Sequence, residues 1–234
     1  MRINKLLSNY GICSRKEANR IIEQNRIIVN GELCTPGQWV EEYDEILLDN
    51  EKVKPKEKVY IVLNKPVGVT CTAAKEVENN IIDFINYPEY IFPVGRLDKE
   101  SEGLIILTND GELANKILES DNQHEKEYIV MVDKPFDDEF IENMGKGVQL
   151  KGVKTRPCKV KKINKNTFKI ILTQGLNRQI RRMTRAFGYT VTKLKRIRIM
   201  NLKIDNIHIG QWRYFTEKEL KELKISVELY KFDN

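Results

Sequence analysis

The residues best suited to chemistry lie near the middle of the chain, in Gly95-Arg96-Leu97-Asp98-Lys99-Glu100-Ser101-Glu102-Gly103-Leu104, where the Asp98 carboxylate sits between the cations Arg96 and Lys99. An apolar run from Leu104 to Leu107 follows, and Thr108-Asn109-Asp110-Gly111 ends it. The pattern predicts an acid on a loop that leads into a buried strand. An aspartate in a loop is most often a turn former or helix cap, and Asp110, ahead of a glycine and a helical pattern, fits that ordinary role. Asp98 differs in its cationic flanks. A nearby cation favours an ionised carboxylate, which suits a nucleophile or a base that works without a metal. Such a group also needs a cation to hold it in place, and Arg181 is the candidate.

Arg181 belongs to a long basic tract. From Asn143 to Ile204 there is no Asp or Glu, and the same stretch holds eighteen Lys and Arg. Residues 177–187 predict a helix with Arg178, Arg181, Arg182 and Arg185 at i, i+3, i+4 and i+7 on one face, opposite Ile180, Met183 and Phe187. No acid lies near them in sequence, so the four guanidiniums are expected to stand unpaired and to repel one another. Phosphate would relieve that repulsion, because the guanidinium fork binds it in bidentate fashion. A second basic zone opens the chain: six Lys and Arg face only Glu17 and Glu23 in the first 26 residues, with Arg15, Lys16 and Arg20 along one predicted helix. The net charge of +6 is modest, but acidic stretches at 41–51 and 133–142 separate the two basic zones. Charge partitioned in this way suits a surface that binds nucleic acid.

Other chemistries find little support. Neither phosphate-cradling glycine motif occurs, which argues against an ATP-driven enzyme and a nucleotide-fold methyltransferase. Cys13, Cys34, Cys71 and Cys158 are far apart and only His124 and His208 could join them, so no metal site is expected. His208, within Ile207-His208-Ile209, reads as the surface of a strand, and His124 as a loop residue that is at most a secondary candidate for a base. No apolar run is long enough to span a membrane, and the N-terminus lacks the apolar centre of a secretory signal. The expectation is a soluble cytoplasmic protein with reduced thiols, monomeric, with RNA as partner and no cofactor.

The elements that must position these residues can be sketched. Ile3, Leu6, Leu7 and Tyr10 share a helical face that Gly11 can end. Ser14-Arg15-Lys16-Glu17 is a capping box for a second helix, and Thr216-Glu217-Lys218-Glu219 for a C-terminal one. Ile27–Val29, Ile46–Leu48, Val59–Leu63, Tyr128–Val132 and Thr167–Leu172 read as strands, with Asn30-Gly31 a hairpin turn. The polar segment before Val59 reads as a linker.

Taken together the motifs resemble the RsuA-type ribosomal RNA pseudouridine synthases. Gly95-Arg96-Leu97-Asp98 with Ser101-Glu102-Gly103-Leu104 and Thr108-Asn109-Asp110-Gly111 looks like that family's catalytic motif. Lys65-Pro66-Val67-Gly68, Lys126-Glu127-Tyr128, Asn177-Arg178-Gln179-Ile180-Arg181-Arg182-Met183 and Val191–Arg196 are similar to its other motifs, in the family's order. Ser14-Arg15-Lys16-Glu17-Ala18 resembles the core of an S4 RNA-binding domain, and Gln174–Arg178 looks most like the RluF branch, which acts on large-subunit rRNA. The resemblance implies an α+β protein: an S4-like RNA-binding domain over 1–50, a linker over 51–58, and a catalytic domain over 59–234 on a largely antiparallel or mixed sheet. It implies isomerisation of a uridine in RNA, with 23S rRNA the expected target and tRNA a second candidate, without metal or cofactor. Asp98 would drive cleavage of the glycosidic bond, Tyr128 would stack on the flipped base, and Arg181 would pair with Asp98. Arg96 would fill the space the base leaves, and Leu194 would wall the pocket. Lys65, Arg15, Lys16, Arg20, Arg178, Arg182 and Arg185 would contact the RNA. Two rival readings remain at this stage: a non-catalytic ribosome-binding protein and an S4-bearing RNA methyltransferase.

Overall fold

The computed structural model describes residues 1–74, 76–119 and 124–229. The N-terminal part forms α1 (Ile3–Asn9), α2 (Arg15–Glu23), β1 (Ile27–Val29), β2 (Glu32–Leu33), β3 (Ile46–Leu48) and β4 (Glu51–Lys52). Ser14 Oγ accepts the Glu17 amide at 3.1 Å, as a capping box requires. Asn30 and Gly31 both take positive φ, 51° and 85°, the geometry of a tight hairpin between β1 and β2. The sheet order is β2-β1-β3-β4, and the helices close over it with Ile3, Leu6, Leu7, Ala18, Ile22 and Ile27 at the centre of a separate core.

The segment between the two cores is shorter than the 51–58 expected. Glu51 and Lys52 pair with β3, and Val53 packs on the N-terminal core, because the polar composition there belongs to an exposed edge strand. What remains of the segment is tied down. Lys56 donates its amide to the Tyr10 carbonyl at 2.8 Å, and Lys58 Nζ donates to the Asn9 carbonyl. The fully buried Asn109 accepts the Val59 amide at 2.9 Å and donates to the Glu57 carbonyl at 2.8 Å. Gly11 lies against the same Asn109 side chain: a Cβ at Gly11 would stand 2.9 Å from its amide nitrogen.

Beyond this junction run β5 (Tyr60–Lys65), α3 (Ile81–Ile85), β6 (Phe92–Val94), β7 (Glu102–Thr108), α4 (Gly111–Leu118), β8 (Lys126–Val132), α5 (Asp138–Gly145), β9 (Gln149–Leu150) and β10 (Val153–Lys154). They are followed by β11 (Lys159–Asn164), β12 (Thr167–Leu172), α6 (Gln179–Ala186), β13 (Val191–Ile199), β14 (Leu202–Lys203), β15 (Trp212–Tyr214) and α7 (Glu217–Leu229). Among the described residues the main sheet has the order β11-β12-β8-β13-β7-β5-β15, with β6 and β14 paired at its margins. Its pairings are antiparallel except β13 with β7, so the α+β, mostly antiparallel reading holds.

Helices cover both faces of the sheet. Ile105 and Leu107 of β7 face a core shared with α3, α5 and α6, while Leu104 and Ile106 face one shared with α4 and α7. This explains the continuous apolar run: a strand buried on both faces has no polar side. Each such aliphatic contributes roughly 1.5–3 kcal/mol when fully buried. Gly103 permits the close approach of β7 to β13, since a Cβ there would lie 2.2 Å from the Arg196 carbonyl oxygen. His208 lies outside any strand, contrary to the alternating pattern around it. The carbonyls of Ile204, His208 and Asn64 are used in turns that lead into β15, and Gly210 takes φ +82°.

Candidate active site

A cleft of about 610 Å³ opens where the loop before β7, the strands β8 and β13, and the start of α6 meet. Asp98, Tyr128, Arg181, Leu194, Arg96 and Arg178 all line it. The Asp98 loop is fixed locally: Leu97 is buried beneath it, and the Asp98 carbonyl accepts the Ser101 amide at 3.0 Å. Arg181 reaches across from α6. Its Nη2 donates to Ser101 Oγ at 2.9 Å and to the Glu100 carbonyl at 3.3 Å, and its Nη1 to the Val191 carbonyl at 3.3 Å. The guanidinium is thereby clamped with Nε toward Asp98 Oδ2, 3.5 Å away. That buried Nε makes no hydrogen bond, so the ion pair with Asp98 is its one charged partner among the described residues.

Arg178 adds a second cation. Its Nη1 lies 2.9 Å from Glu100 Oε2 and 3.8 Å from Asp98 Oδ2. It caps α6 with a left-handed backbone, φ 47°, which costs a residue with a side chain about 1–3 kcal/mol. The hydrogen bond from Arg178 holds the Glu100 carboxyl below its ordinary range, helped by the loop's own amide. Tyr128 and Leu194 are buried in the cleft wall, Tyr128 on β8 and Leu194 on β13, while Arg96 is exposed at its rim.

Three expectations need correcting. The four arginines of residues 178–185 do not form one unpaired face. Arg178 precedes the helix, and Arg178 and Arg181 find acids on a loop some 80 residues earlier, which a search for nearby acids in sequence overlooks. Arg182 and Arg185 make no ion pair among the described residues and do not line the cleft. Lys65, expected to contact the RNA, is wholly buried and does not line the cleft. Its Nζ donates to the carbonyls of Pro66 and Val69 at 2.9 and 2.8 Å, so it braces a turn, and burial lowers its pKa. His124 is buried with Nδ1 3.1 Å from the Ile117 carbonyl, and burial lowers its pKa, which leaves it no place in the cleft.

Arg15, Lys16 and Arg20 project from α2 into solvent, and among the described residues only Arg20 is paired, to Glu17 at 3.4 Å. The sequence reading missed Ser101 and Arg196. Ser101 is fully buried as the Arg181 acceptor; its place three residues after Asp98 was the available signal. Arg196, also buried, donates from Nε to the Leu104 carbonyl at 2.7 Å and from Nη1 to the Arg96 carbonyl at 3.4 Å, bracing both ends of the Asp98 loop. Arg196 stands among Lys193, Lys195 and Arg198, and the basic run alone does not mark which of them turns inward.

Both parts of the chain resemble known proteins. The family described as RNA pseudouridylate synthase matches residues 59–186, and the S4 domain matches residues 1–46. The chain is 51% identical over 226 residues to the dual-specificity RNA pseudouridine synthase RluF of Escherichia coli O6:H1, covering 95% of this chain and 78% of that one. It is 36% identical over 232 residues to the ribosomal large subunit pseudouridine synthase B of Bacillus subtilis, covering 95% of each. A solved structure described as a pseudouridylate synthase superposes with a TM-score of 0.70 at 27% identity, covering 95% of this chain and 99% of that one. Among the described residues no helix is long and apolar enough to cross a membrane.

Proposed function

The chain belongs to the RNA pseudouridylate synthase family, with an S4 domain ahead of the synthase domain, and from that premise we propose that it isomerises a uridine of large-subunit ribosomal RNA with Asp98 as the catalytic carboxylate. The chemistry is an intramolecular transfer. The C1′–N1 bond of the target uridine breaks, the uracil turns, and C5 bonds to C1′ while its proton leaves. Asp98 drives the first cleavage. The observation that carries this reading is the clamped Arg181 guanidinium, whose Nε stands 3.5 Å from Asp98 in a cleft that Tyr128 also lines.

The remaining roles are those the family resemblance implies, and the positions of the residues support them. Tyr128 stacks on the flipped base, and Leu194 closes the pocket behind it. Arg96, exposed at the rim, occupies the gap left in the RNA stack. Leaving the stack costs the nucleotide a few kcal/mol, which a pocket with a stacking aromatic offsets. Arg178, Arg182 and Arg185 near the cleft, and Arg15, Lys16 and Arg20 on α2, supply phosphate contacts. Residues 1–50 act as the RNA-gripping module and 59–234 as the catalytic domain, in a cytoplasmic monomer that needs no cofactor. The Bacillus subtilis relative, described as a ribosomal large subunit pseudouridine synthase, favours ribosomal RNA; the RluF relatives, described as dual-specificity RNA pseudouridine synthases, favour a second target class, for which tRNA is the candidate.

The test is direct. Pseudouridine mapping of rRNA and tRNA from cells with and without this gene should show a uridine that is modified only in its presence, on the large-subunit rRNA. Purified protein should release tritium from C5-labelled uridine in that RNA. Modification confined to small-subunit rRNA would overturn the target; no tritium release from any RNA would overturn the reaction.

A further inference from the structure

Lys126 has no part in the reaction described above, yet it lines the cleft two residues before Tyr128. It opens β8, in register with Leu172 of β12 and Ile199 of β13. Alternation along the strand sends Lys126 and Tyr128 to one face and Glu125 and Glu127 to the other. Both neighbouring carboxylates are taken on that far side. Glu125 holds Arg198 at 2.8 Å and Lys159 at 3.7 Å; Glu127 holds Arg198 at 2.7 Å and Lys169 at 2.9 Å. Lys126 Nζ keeps a single long hydrogen bond, 3.4 Å to the His124 carbonyl, and no ion pair among the described residues.

Its surroundings increase the imbalance. Arg196, cross-strand partner of Tyr128, also lines the cleft and has a buried Nη2 with no hydrogen-bond partner. Ile117, Leu118 and Ile199 give this end of the cleft an apolar wall. Glu119, past α4, is the acid on the same rim, and the buried His124 ring is held by the Ile117 carbonyl. An ammonium in such a place is costly without an anion beside it.

We propose that Lys126 binds a backbone phosphate of the RNA strand next to the flipped uridine, at the end of the cleft walled by Ile117, Leu118 and Ile199. This rests on the reading that the cleft receives an RNA nucleotide. A phosphate fits better than the uracil ring, because the ring is neutral and leaves the excess charge uncompensated. An ammonium is a compact point charge suited to a phosphate oxygen. Burial, with Arg196 close by, pushes the free Lys126 ammonium down to about 8. A bound phosphate favours the charged form, so RNA affinity is full below that pH and falls as the pH rises through it.

The experiment uses the full chain and a stem–loop RNA that it modifies. Each phosphate flanking the target uridine is replaced in turn by a neutral methylphosphonate. Lys126→Met should weaken RNA binding about tenfold and reduce the log–log salt slope by about 0.7–0.9. One methylphosphonate position should cost the wild type as much, and cost Lys126→Met nothing more. Lys126→Arg should keep the affinity and lose the fall near pH 8. Thermal unfolding of Lys126→Met should match or exceed the wild type, since removing an uncompensated ammonium does not weaken packing, and Lys126→Arg serves if Lys126→Met does not fold. An unchanged affinity and slope in Lys126→Met, strictly additive effects at every methylphosphonate, or a loss confined to kcat would overturn the proposal. Those outcomes leave the isomerase reading standing, because wild-type tritium release is measured in the same preparations.

Discussion

The two basic helices hold their charges in opposite ways. On α2 the side chains of Arg15, Lys16 and Arg20 extend into water, with one exposed i,i+3 pair between them and Glu17. At the start of α6, Arg181 and Arg178 are tied to Asp98, Glu100, Ser101 and Val191, and their positions are set by the fold. Exposed ion pairs of the first kind are worth little and are screened by salt. A clamped guanidinium of the second kind can orient a carboxylate for reaction. On the proposed function, positive charge would serve two tasks here: a loose grip on phosphate at α2 and the setting of one reactive group at α6. Composition reveals both zones but not which task each performs.

The sharpest way to break that distinction is at Asp98. Asp98→Asn should lower tritium release by more than about a thousandfold while RNA affinity survives; retained turnover would remove Asp98 from the chemistry. Arg181→Lys should come next, with a fall in single-turnover rate of about a hundredfold, because an ammonium cannot reach Ser101, Glu100, Val191 and Asp98 together. A loss of affinity with an unchanged rate would instead make Arg181 another α2-type contact. The combined change Arg15→Ala, Lys16→Ala, Arg20→Ala should do the reverse. It should weaken binding and flatten the salt slope by about 0.7–0.9 for each lost phosphate contact, with the rate at saturating RNA preserved. Arg182→Ala should behave like one member of that set.

The smallest effect is expected at Glu100. Its folded pKa is depressed, chiefly by the hydrogen bond from Arg178, so its contribution to stability is present above the unfolded pKa and fades as pH falls through the folded value. Glu100→Gln should therefore lower the melting temperature slightly near neutral pH, by a difference that closes as the pH falls, and the effect is small because the pair is largely exposed.

Much of this was legible because local rules agreed. Thr167–Leu172 has the strand bounds its alternation suggests, and Ser14, Asp110 and Thr216 cap the helices they precede. Asp98 stood out through its flanking cations, and its assignment sharpened only when five motifs appeared in one order. The failures share one cause, which is tertiary context. Nothing in Lys65-Pro66 signals that the ammonium turns inward to two carbonyls. The acids that hold Arg178 and Arg181 come from a distant loop, and the polar residues after Asn50 gave a linker signal where a short edge strand forms.

Asn109 carries a consequence of its own. With both ends of its amide bonded to the connecting segment and its flank against Gly11, it leaves the N-terminal module little freedom to swing. On the proposed reading the molecule would work as a caliper, one jaw on α2 and the other at Asp98. A uridine would be chosen by how far it lies from the gripped stem, and an RNA of the right letters but the wrong span would go unmodified.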